Sequence, residues 1–195
     1  MPCWRARAHR DRQRGQTLIE FALVAPVLIV LAFGIFDLGR AESANVTVTN
    51  SAREGARRLV AEMTQQPAST ILGCPGGTAA APTAPATTTA QGAAWRQMAN
   101  ASLDLSRVTL LDVRVYSTAL NHDPSTTSTP DYEFRCSGPP HAAFTSSEPV
   151  GAGYAPVSGD WVQFEVTYTY APLTPMVSAL LRSVSVDQTA TMVLE

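Results

Sequence analysis

The chain of 195 residues contains no lysine, so its positive charge comes from arginine alone. Charged residues make up 15% of the sequence, well below the share of about 25% in ordinary globular proteins. The formal net charge of −2 gives no general attraction to nucleic acid. The sequence also lacks the G-x-S-x-G, H-E-x-x-H and phosphate-loop motifs of common enzymes. We therefore expect no enzymatic activity, no cofactor, no metal and no nucleic-acid partner.

Long hydrophobic runs are scarce as well, since only one occurs. Phe21 to Phe36 is 16 residues without a charge, and a start at Leu18 gives 19 residues interrupted only by Glu20. As a helix, such a run spans about 28 Å, close to the ~30 Å hydrocarbon core of a bilayer. A single run excludes a polytopic membrane protein, and the 45% apolar content excludes full disorder. The sequence predicts one transmembrane helix.

The charge near this run is unevenly distributed. Residues 1–14 carry five arginines and one acid, Asp11, for a balance of +4, whereas the rest of the chain sums to −6. A basic segment before an apolar run predicts an N-terminus in the cytoplasm. We expect a single-pass protein of the cytoplasmic (inner) membrane, with the C-terminal domain outside, periplasmic or extracellular.

Two other interpretations of the run remain open. A buried core helix would not need to be apolar on every face. A cleaved secretory signal peptide usually has an apolar region of about 7–15 residues followed by small residues. The run here is longer, and the following DLGRAESAN is a poor cleavage site.

Glu20 and Pro26 interrupt the apolar run. A carboxylate at membrane depth is costly unless it finds a partner or reaches the interface. Pro26 deprives the Ala22 carbonyl of its amide partner, which predicts a kink in the helix. Glu20 therefore calls for either a positively charged partner or a position at the membrane surface.

The residues from Gly15 to Phe21, GQTLIEF, resemble the cleavage motif of type IV prepilins, where a peptidase cuts after Gly and Glu is the fifth residue of the mature chain. The wider stretch RGQTLIEFALVAPVLIVLAFGIFDLGRAESANVTVTNSAREGARRLV is similar to the TadE/TadG-like family of the tight-adherence (Flp) pilus system. Phe21 stands where Tyr is usual in that family. The ending, from Gly159 to Leu194, resembles the family's C-terminal pattern more loosely.

This resemblance implies cleavage between Gly15 and Gln16 by a prepilin peptidase. The new ammonium group on Gln16 would lie one helical turn from Glu20, and such a partner favours the charged carboxylate. The implied function is that of a minor pilin or pseudopilin, which serves pilus assembly by non-covalent packing with other pilins, the assembly machinery and the bilayer. The alternative is an unprocessed, membrane-anchored binding or adhesion module, with Glu20 at the interface.

The helical pattern continues beyond the membrane, and one helix is predicted from about Thr17 to Gln65. Glu54 and Arg58 have the spacing of an i,i+4 ion pair. The low-complexity residues 67–92 are predicted to form a loop with no core of its own, and residues 93–103 a short helix with Trp95, Met98 and Leu103 on one side.

Three segments alternate between apolar and polar residues, which is typical of half-buried strands: Ser106 to Ser117, Asp160 to Ala171, and Ser183 to Leu194. Residues 119–159 are predicted to form another long loop. The fold class is α+β, with a long N-terminal helix packed on a small antiparallel sheet, pilin-like, with long Pro/Thr-rich loops. The expected segments are a basic cytoplasmic leader (1–15), a transmembrane helix (16–37), its external continuation (38–66), the loop (67–92) and an external domain (93–195).

Cys74 and Cys136 lie in the two long loops, and Cys3 lies in the cytoplasmic leader. Two cysteines in an oxidising compartment predict one disulfide, and two free thiols are the alternative. His122, Asp123, Asp131 and Glu133 could surround a cation, but a solvated polar loop explains them better.

Overall fold

The computed structural model describes residues 5–63, 65–66, 71–78, 81–83, 85, 88–126, 129–140, 144–146, 151 and 153–195. The chain forms two compact units. The anchor unit comprises residues 1–40 and 172–182, and the sheet unit comprises residues 41–171 and 183–195. The disulfide, the sheet and the main core all lie in the sheet unit.

Helix α1 extends over Arg5–Glu62 and contains Pro26. It begins well before the predicted start at Thr17 and ends close to the predicted end at Gln65. The chain turns after Glu62, where the Met63 amide still donates to the Leu59 carbonyl. The long helix is confirmed, while the kink at Pro26 stays a prediction.

The sheet unit contains a five-stranded antiparallel sheet, which confirms the α+β class. In chain order its five strands are β3 (Val108–Tyr116), β4 (Tyr132–Ser137), β5 (Thr145–Ser146), β6 (Trp161–Tyr170) and β7 (Val184–Val193). Across the sheet they lie in the order β5-β4-β3-β6-β7. Two 3₁₀ turns, Leu105–Arg107 and Thr118–Leu120, flank β3.

The three strands predicted from alternation are β3, β6 and β7, each within two residues of its expected ends. The prediction of an uninterrupted loop over residues 119–159 is wrong, because β4 and the short β5 lie within it. Strand β4 pairs with β3, with Val113 opposite Phe134 and Leu111 opposite Cys136. A short strand flanked by Pro- and Ser-rich sequence gives a weak pattern, and pairing with a long central strand decides the structure instead.

The segment predicted as a loop without a core, residues 67–92, is more ordered than expected. It contains a small hairpin of β1 (Gly76–Thr78) and β2 (Ala81–Thr83). Ile71 and Leu72 are buried in the main hydrophobic core. The following helix α2 (Ala90–Asn100) begins three residues early, because the Thr89 side chain accepts a hydrogen bond from the Gly92 amide as its N-cap.

One continuous core joins α1, α2 and one face of the sheet. From α1 it takes residues at helical spacing: Ala44, Val48, Ala52, Ala56, Leu59 and Met63. From the sheet it takes the alternate residues of β3 and β6, including Leu111, Val113, Phe164 and Val166. Trp95 and Met98 of α2 are buried as predicted, and Leu103 packs against the core. The apolar stripe of α1 within the sheet unit is thus a packing surface for the sheet.

A last short helix, α3 (Pro175–Leu180), lies between β6 and β7 in the sequence. It belongs to the anchor unit. Thr174 occupies its N-cap position, and a proline follows in its first turn. Proline is tolerated there because the first amides of a helix have no partner within the helix.

Candidate functional site

The first part of α1 exposes apolar side chains on every face. Leu23 is 72% exposed and Ile35 is 71% exposed, and Leu28 on another face is 54% exposed. The other exposed apolar residues of the run include Leu18, Ile19, Phe21, Val24, Val27, Ile29, Val30, Leu31, Phe33 and Phe36. Water would be a poor solvent for such a surface, since apolar area costs about 25 cal/mol per Å² when it is hydrated.

Within the part of the chain that the structure describes, one helix is long and apolar enough to cross a membrane, and it is the Gln16–Glu62 part of α1. A helix pairs its backbone groups internally, as the bilayer requires, apart from the Ala22 carbonyl opposite Pro26. The helix near the N-terminus therefore indicates single-pass membrane anchoring.

The residues predicted to form a processing motif lie on α1 at the start of the apolar run. The Gln16 side-chain amide donates to Glu20 Oε1 at 3.4 Å, and both side chains are exposed. Phe21 is 67% exposed. Residues four apart on a helix share one face, so the backbone atoms of Gln16 lie one turn from the Glu20 carboxylate. The structure thus brings Gln16 and Glu20 together, with Gly15 just before them in the same helix.

The block Asn50 to Arg58, NSAREGARR, packs against the sheet. A Cβ atom on Gly55 would lie 2.6–2.8 Å from ring atoms of Phe164, so only glycine fits there without displacement. Ala52 and Ala56 are buried beside it. The small residues of this block therefore make room for the Phe164 ring of the same chain.

The charged residues of this block pair differently from the expected i,i+4 pair of Glu54 with Arg58. Arg57 Nη2 lies 2.9 Å from Glu54 Oε1, and Arg58 Nη2 lies 2.6 Å from Glu62 Oε1. Glu54 thus uses its nearer neighbour, and Arg58 turns towards the end of the helix. The Arg57–Glu54 pair is on the surface, where such a contact is worth only a few tenths of a kcal/mol, whereas the Arg58–Glu62 pair is half-buried.

A polar contact between α1 and β7 was not foreseen from the sequence. The Gln188 side-chain amide donates to Asn45 Oδ1 at 3.0 Å, and Thr49 Oγ1 donates to Gln188 Oε1 at 3.1 Å. Asn45 and Thr49 are one turn apart on α1, so a single glutamine fixes the position of β7 along the helix. Residues 143 positions apart in sequence give no local signal of such a contact.

A second unforeseen contact lies at the end of the apolar run, within the anchor unit. The Asp37 carboxylate, 3% exposed, accepts hydrogen bonds from the amides of Leu173 and Thr174, each at 3.2 Å. The Thr174 hydroxyl also donates to it. Hydrogen bonds to an ionised carboxylate are stronger than those between neutral groups. Asp37 therefore holds the start of α3 beside α1.

The sheet face opposite α1 carries a cluster of charges centred on Asp112, which is fully buried. Arg114 Nη2 lies 2.7 Å from Asp112 Oδ2, and Arg135 Nη2 lies 3.1 Å from the same atom. Glu133 and Glu165 complete the cluster. Burial raises the pKa of the Asp112 carboxyl, against the opposing effect of the two arginines. Both arginines contact Asp112 Oδ2, whereas Asp112 Oδ1 is buried without a hydrogen-bond partner among the described residues.

The remaining candidate residues form local contacts. Cys74 and Cys136 are joined by a disulfide in the sheet unit. His122 Nδ1 lies 2.9 Å from Asp131, and Asp123 instead caps the backbone at Ser125. Among the described residues, no three His, Cys, Asp or Glu side chains are grouped closely enough to hold a metal ion.

An apolar anchor helix joined in one chain to a five-stranded α+β unit defines a membrane-anchored protein with a folded domain. The family model described as "TadE-like protein" matches residues 15–57, which cover the processing motif, the apolar run and most of the NSAREGARR block. The resemblance to the TadE-like family is therefore confirmed over this part of the chain. The match covers less than a quarter of the chain, and this likeness agrees with membrane anchoring by α1. No curated protein and no solved structure matches the chain.

Proposed function

We propose that the protein is a minor pilin or pseudopilin-like subunit that serves assembly of a Tad/Flp-type IV pilus. The observation that carries the proposal is the coincidence of three features within residues 15–57. These are a TadE-like match, a run from Leu18 to Phe36 that exposes apolar side chains on every face of the helix, and a carboxylate in that run placed one turn from the expected new N-terminus. An anchor without subunit packing requires only the second feature.

In the proposed mechanism, the apolar helix first holds the subunit in the cytoplasmic membrane with residues 1–15 inside the cell. A prepilin peptidase then cuts between Gly15 and Gln16. The ammonium group formed on Gln16 pairs with Glu20 of the same or a neighbouring subunit, because two opposite charges in an apolar medium attract strongly. This pairing sets the register in which apolar helices pack, and no covalent bond between subunits forms.

The sheet unit faces the periplasm or the exterior in this proposal. Its charged face and its long loops stay available to decorate the filament or to contact other pilins and the assembly machinery. The proposal needs no cofactor and no catalytic residue in the described domain. Prepilin peptidase, the other pilins and the bilayer are the partners.

The replacement Glu20→Ala tests the proposal in cells that make the pilus. We expect normal membrane insertion but loss of piliation, because the apolar helix remains while the charge that sets the register is gone. Glu42→Ala, another exposed acid on α1 outside the apolar run, is the matched control and should leave piliation unchanged. Normal piliation with Glu20→Ala would favour the alternative, an unprocessed anchored binding or adhesion module.

A further inference from the structure

A second apolar surface adjoins the end of the apolar run. Residues 172–181 contain no charged side chain. Leu173 is 68% exposed and Leu181 is 50% exposed, although both belong to a short structured segment rather than to a long open loop. Exposed leucines on both sides of a short helix are unfavourable in water, and they indicate that an apolar partner contacts this surface.

The contact through Asp37 fixes where this segment lies along α1. Asp37 directly follows Phe36, the last residue of the uncharged run. Its carboxylate accepts from the Leu173 amide at 3.2 Å. The backbone of Leu173 therefore lies at the level of α1 where the membrane-crossing surface ends, whichever way the rest of the chain is oriented.

The exposed apolar surface continues without a break across this level. Phe33 is 52% exposed, Phe36 is 55% exposed and Leu38, beyond Asp37, is 70% exposed. The exposed leucines of residues 172–182 thus extend a surface that bilayer lipid already covers. This continuity favours lipid over a protein partner as the cover.

The charges at the edge of the segment fit the same environment. Asp37 is occupied by internal hydrogen bonds. The other charged residues from 37 to 40 and from 172 to 182 are Arg40 and Arg182, and both are exposed. Arginines at the end of an apolar surface place their guanidinium groups at the level of lipid phosphates.

We propose that residues 172–182 form an interfacial membrane-binding loop. Leu173 and Leu181 insert at the boundary of headgroups and acyl chains, in the leaflet that Phe36 reaches, and Asp37 tethers the loop at that depth. The ligand is the phospholipid surface itself. The proposal rests on membrane anchoring by α1 and is independent of processing or pilus assembly.

The test uses the full chain in nanodiscs of phosphatidylethanolamine and phosphatidylglycerol. Cys3→Ser removes the one cysteine outside the disulfide, and an environment-sensitive fluorophore is attached, without reductant, to Leu173→Cys or Leu181→Cys. Phe33→Cys serves as the lipid reference and Ser158→Cys, on an exposed turn, as the water reference. Each probe is quenched in turn by lipids with a nitroxide near the headgroup end of the acyl chain and by aqueous iodide.

We expect the probes at positions 173 and 181 to show blue-shifted emission and nitroxide quenching close to that of the Phe33 reference, with little quenching by iodide. Emission and iodide quenching like those of the Ser158 reference would overturn the proposal. Protection from both quenchers would also overturn it, because protein rather than lipid would then cover the loop.

Asp37→Ala separates the tether from the lipid contact. We expect it to reduce nitroxide quenching of the probe at position 173 while the Phe33 reference stays unchanged. Thr174→Val, which keeps both backbone donors to Asp37, should have a smaller effect. Equal quenching with and without the Asp37 carboxylate would contradict the tethering role of that residue.

Discussion

The first half of α1 is almost entirely apolar, whereas the second half mixes apolar with charged residues, and the apolar side chains of the two halves have opposite surroundings. From Leu18 to Phe36 the apolar side chains are exposed on every face, while from Ala44 to Met63 the stripe that enters the main core is buried and lies on one face. Regular helix geometry is common to both halves, so helix formation does not distinguish them. The difference shows that the first half needs an apolar solvent from outside the chain, whereas the second half finds its cover in the sheet of the same chain.

Leucine truncation on each half gives the largest expected contrast. Leu59 is fully buried and Leu28 is 54% exposed. Leu59→Ala should lower the free energy of unfolding of the sheet unit by about 2–5 kcal/mol, because it leaves a cavity. Leu28→Ala should leave that free energy unchanged. Urea unfolding in detergent, followed by tryptophan fluorescence, measures both, and equal effects would remove the distinction between the halves.

Removal of the disulfide tests the stability of the sheet unit, against which the second half of α1 packs. Cys74 joins the segment after α1 to Cys136 on β4. Replacing both cysteines by serine should cost about 2–4 kcal/mol of sheet-unit stability, since the unfolded chain regains freedom. Mass spectrometry after alkylation without reductant should find neither Cys74 nor Cys136 alkylated in the native protein, because both sulfurs are held in the disulfide. Alkylation of both would show two free thiols instead.

The glycines of α1 sharpen the comparison further. A Cβ on Gly55 meets the Phe164 ring at 2.6–2.8 Å, whereas a Cβ on Gly34 or Gly39 meets nothing within 4 Å. Gly55→Ala should destabilise the sheet unit by about 1–3 kcal/mol through overpacking. Gly39→Ala is the matched control and should be neutral or slightly stabilising, because alanine favours the helix. The same unfolding assay applies, and a neutral Gly55→Ala would mean that the ring moves aside freely.

The smallest expected effect is a pH dependence confined to the sheet unit. Burial, and next the hydrogen bond to Asp160, raises the pKa of Tyr154 to about 12 from its ordinary value of 10.0. The folded state therefore keeps a proton that the unfolded state loses, and this stabilisation is complete below pH 10 and is lost as the pH rises towards 12.

Tyr154→Phe should accordingly reduce the fall in stability above pH 10. The difference in unfolding free energy between the native protein and Tyr154→Phe should shrink between pH 10 and pH 12. A difference that stays constant over this range would contradict the raised pKa.

The sequence predicted those parts of the structure that carry a local repeat. The apolar run, the helix and strands β3, β6 and β7 each show a pattern of period 3.6 or 2 over many residues. Strand β4 was missed, although Tyr132, Phe134 and Cys136 alternate with Glu133 and Arg135, because the signal is short and lies between turn-forming residues. The alternation of these five residues was the signal that could have identified it.

Contacts between residues far apart in the sequence could not be predicted, because no local sequence pattern indicates them. Gly55 against Phe164, Gln188 against Asn45, and Asp37 against Leu173 join residues more than 100 positions apart. Each depends on which element lies beside α1, which only the tertiary structure specifies. The processing motif is contiguous, so its residues are named from the sequence, and processing there stays a prediction.

The intact mass of the protein purified from membranes tests the central claim most directly. We expect the mass of a chain that begins at Gln16. A mass that retains residues 1–15 with their arginines would contradict processing between Gly15 and Gln16, and with it the pilin-like role.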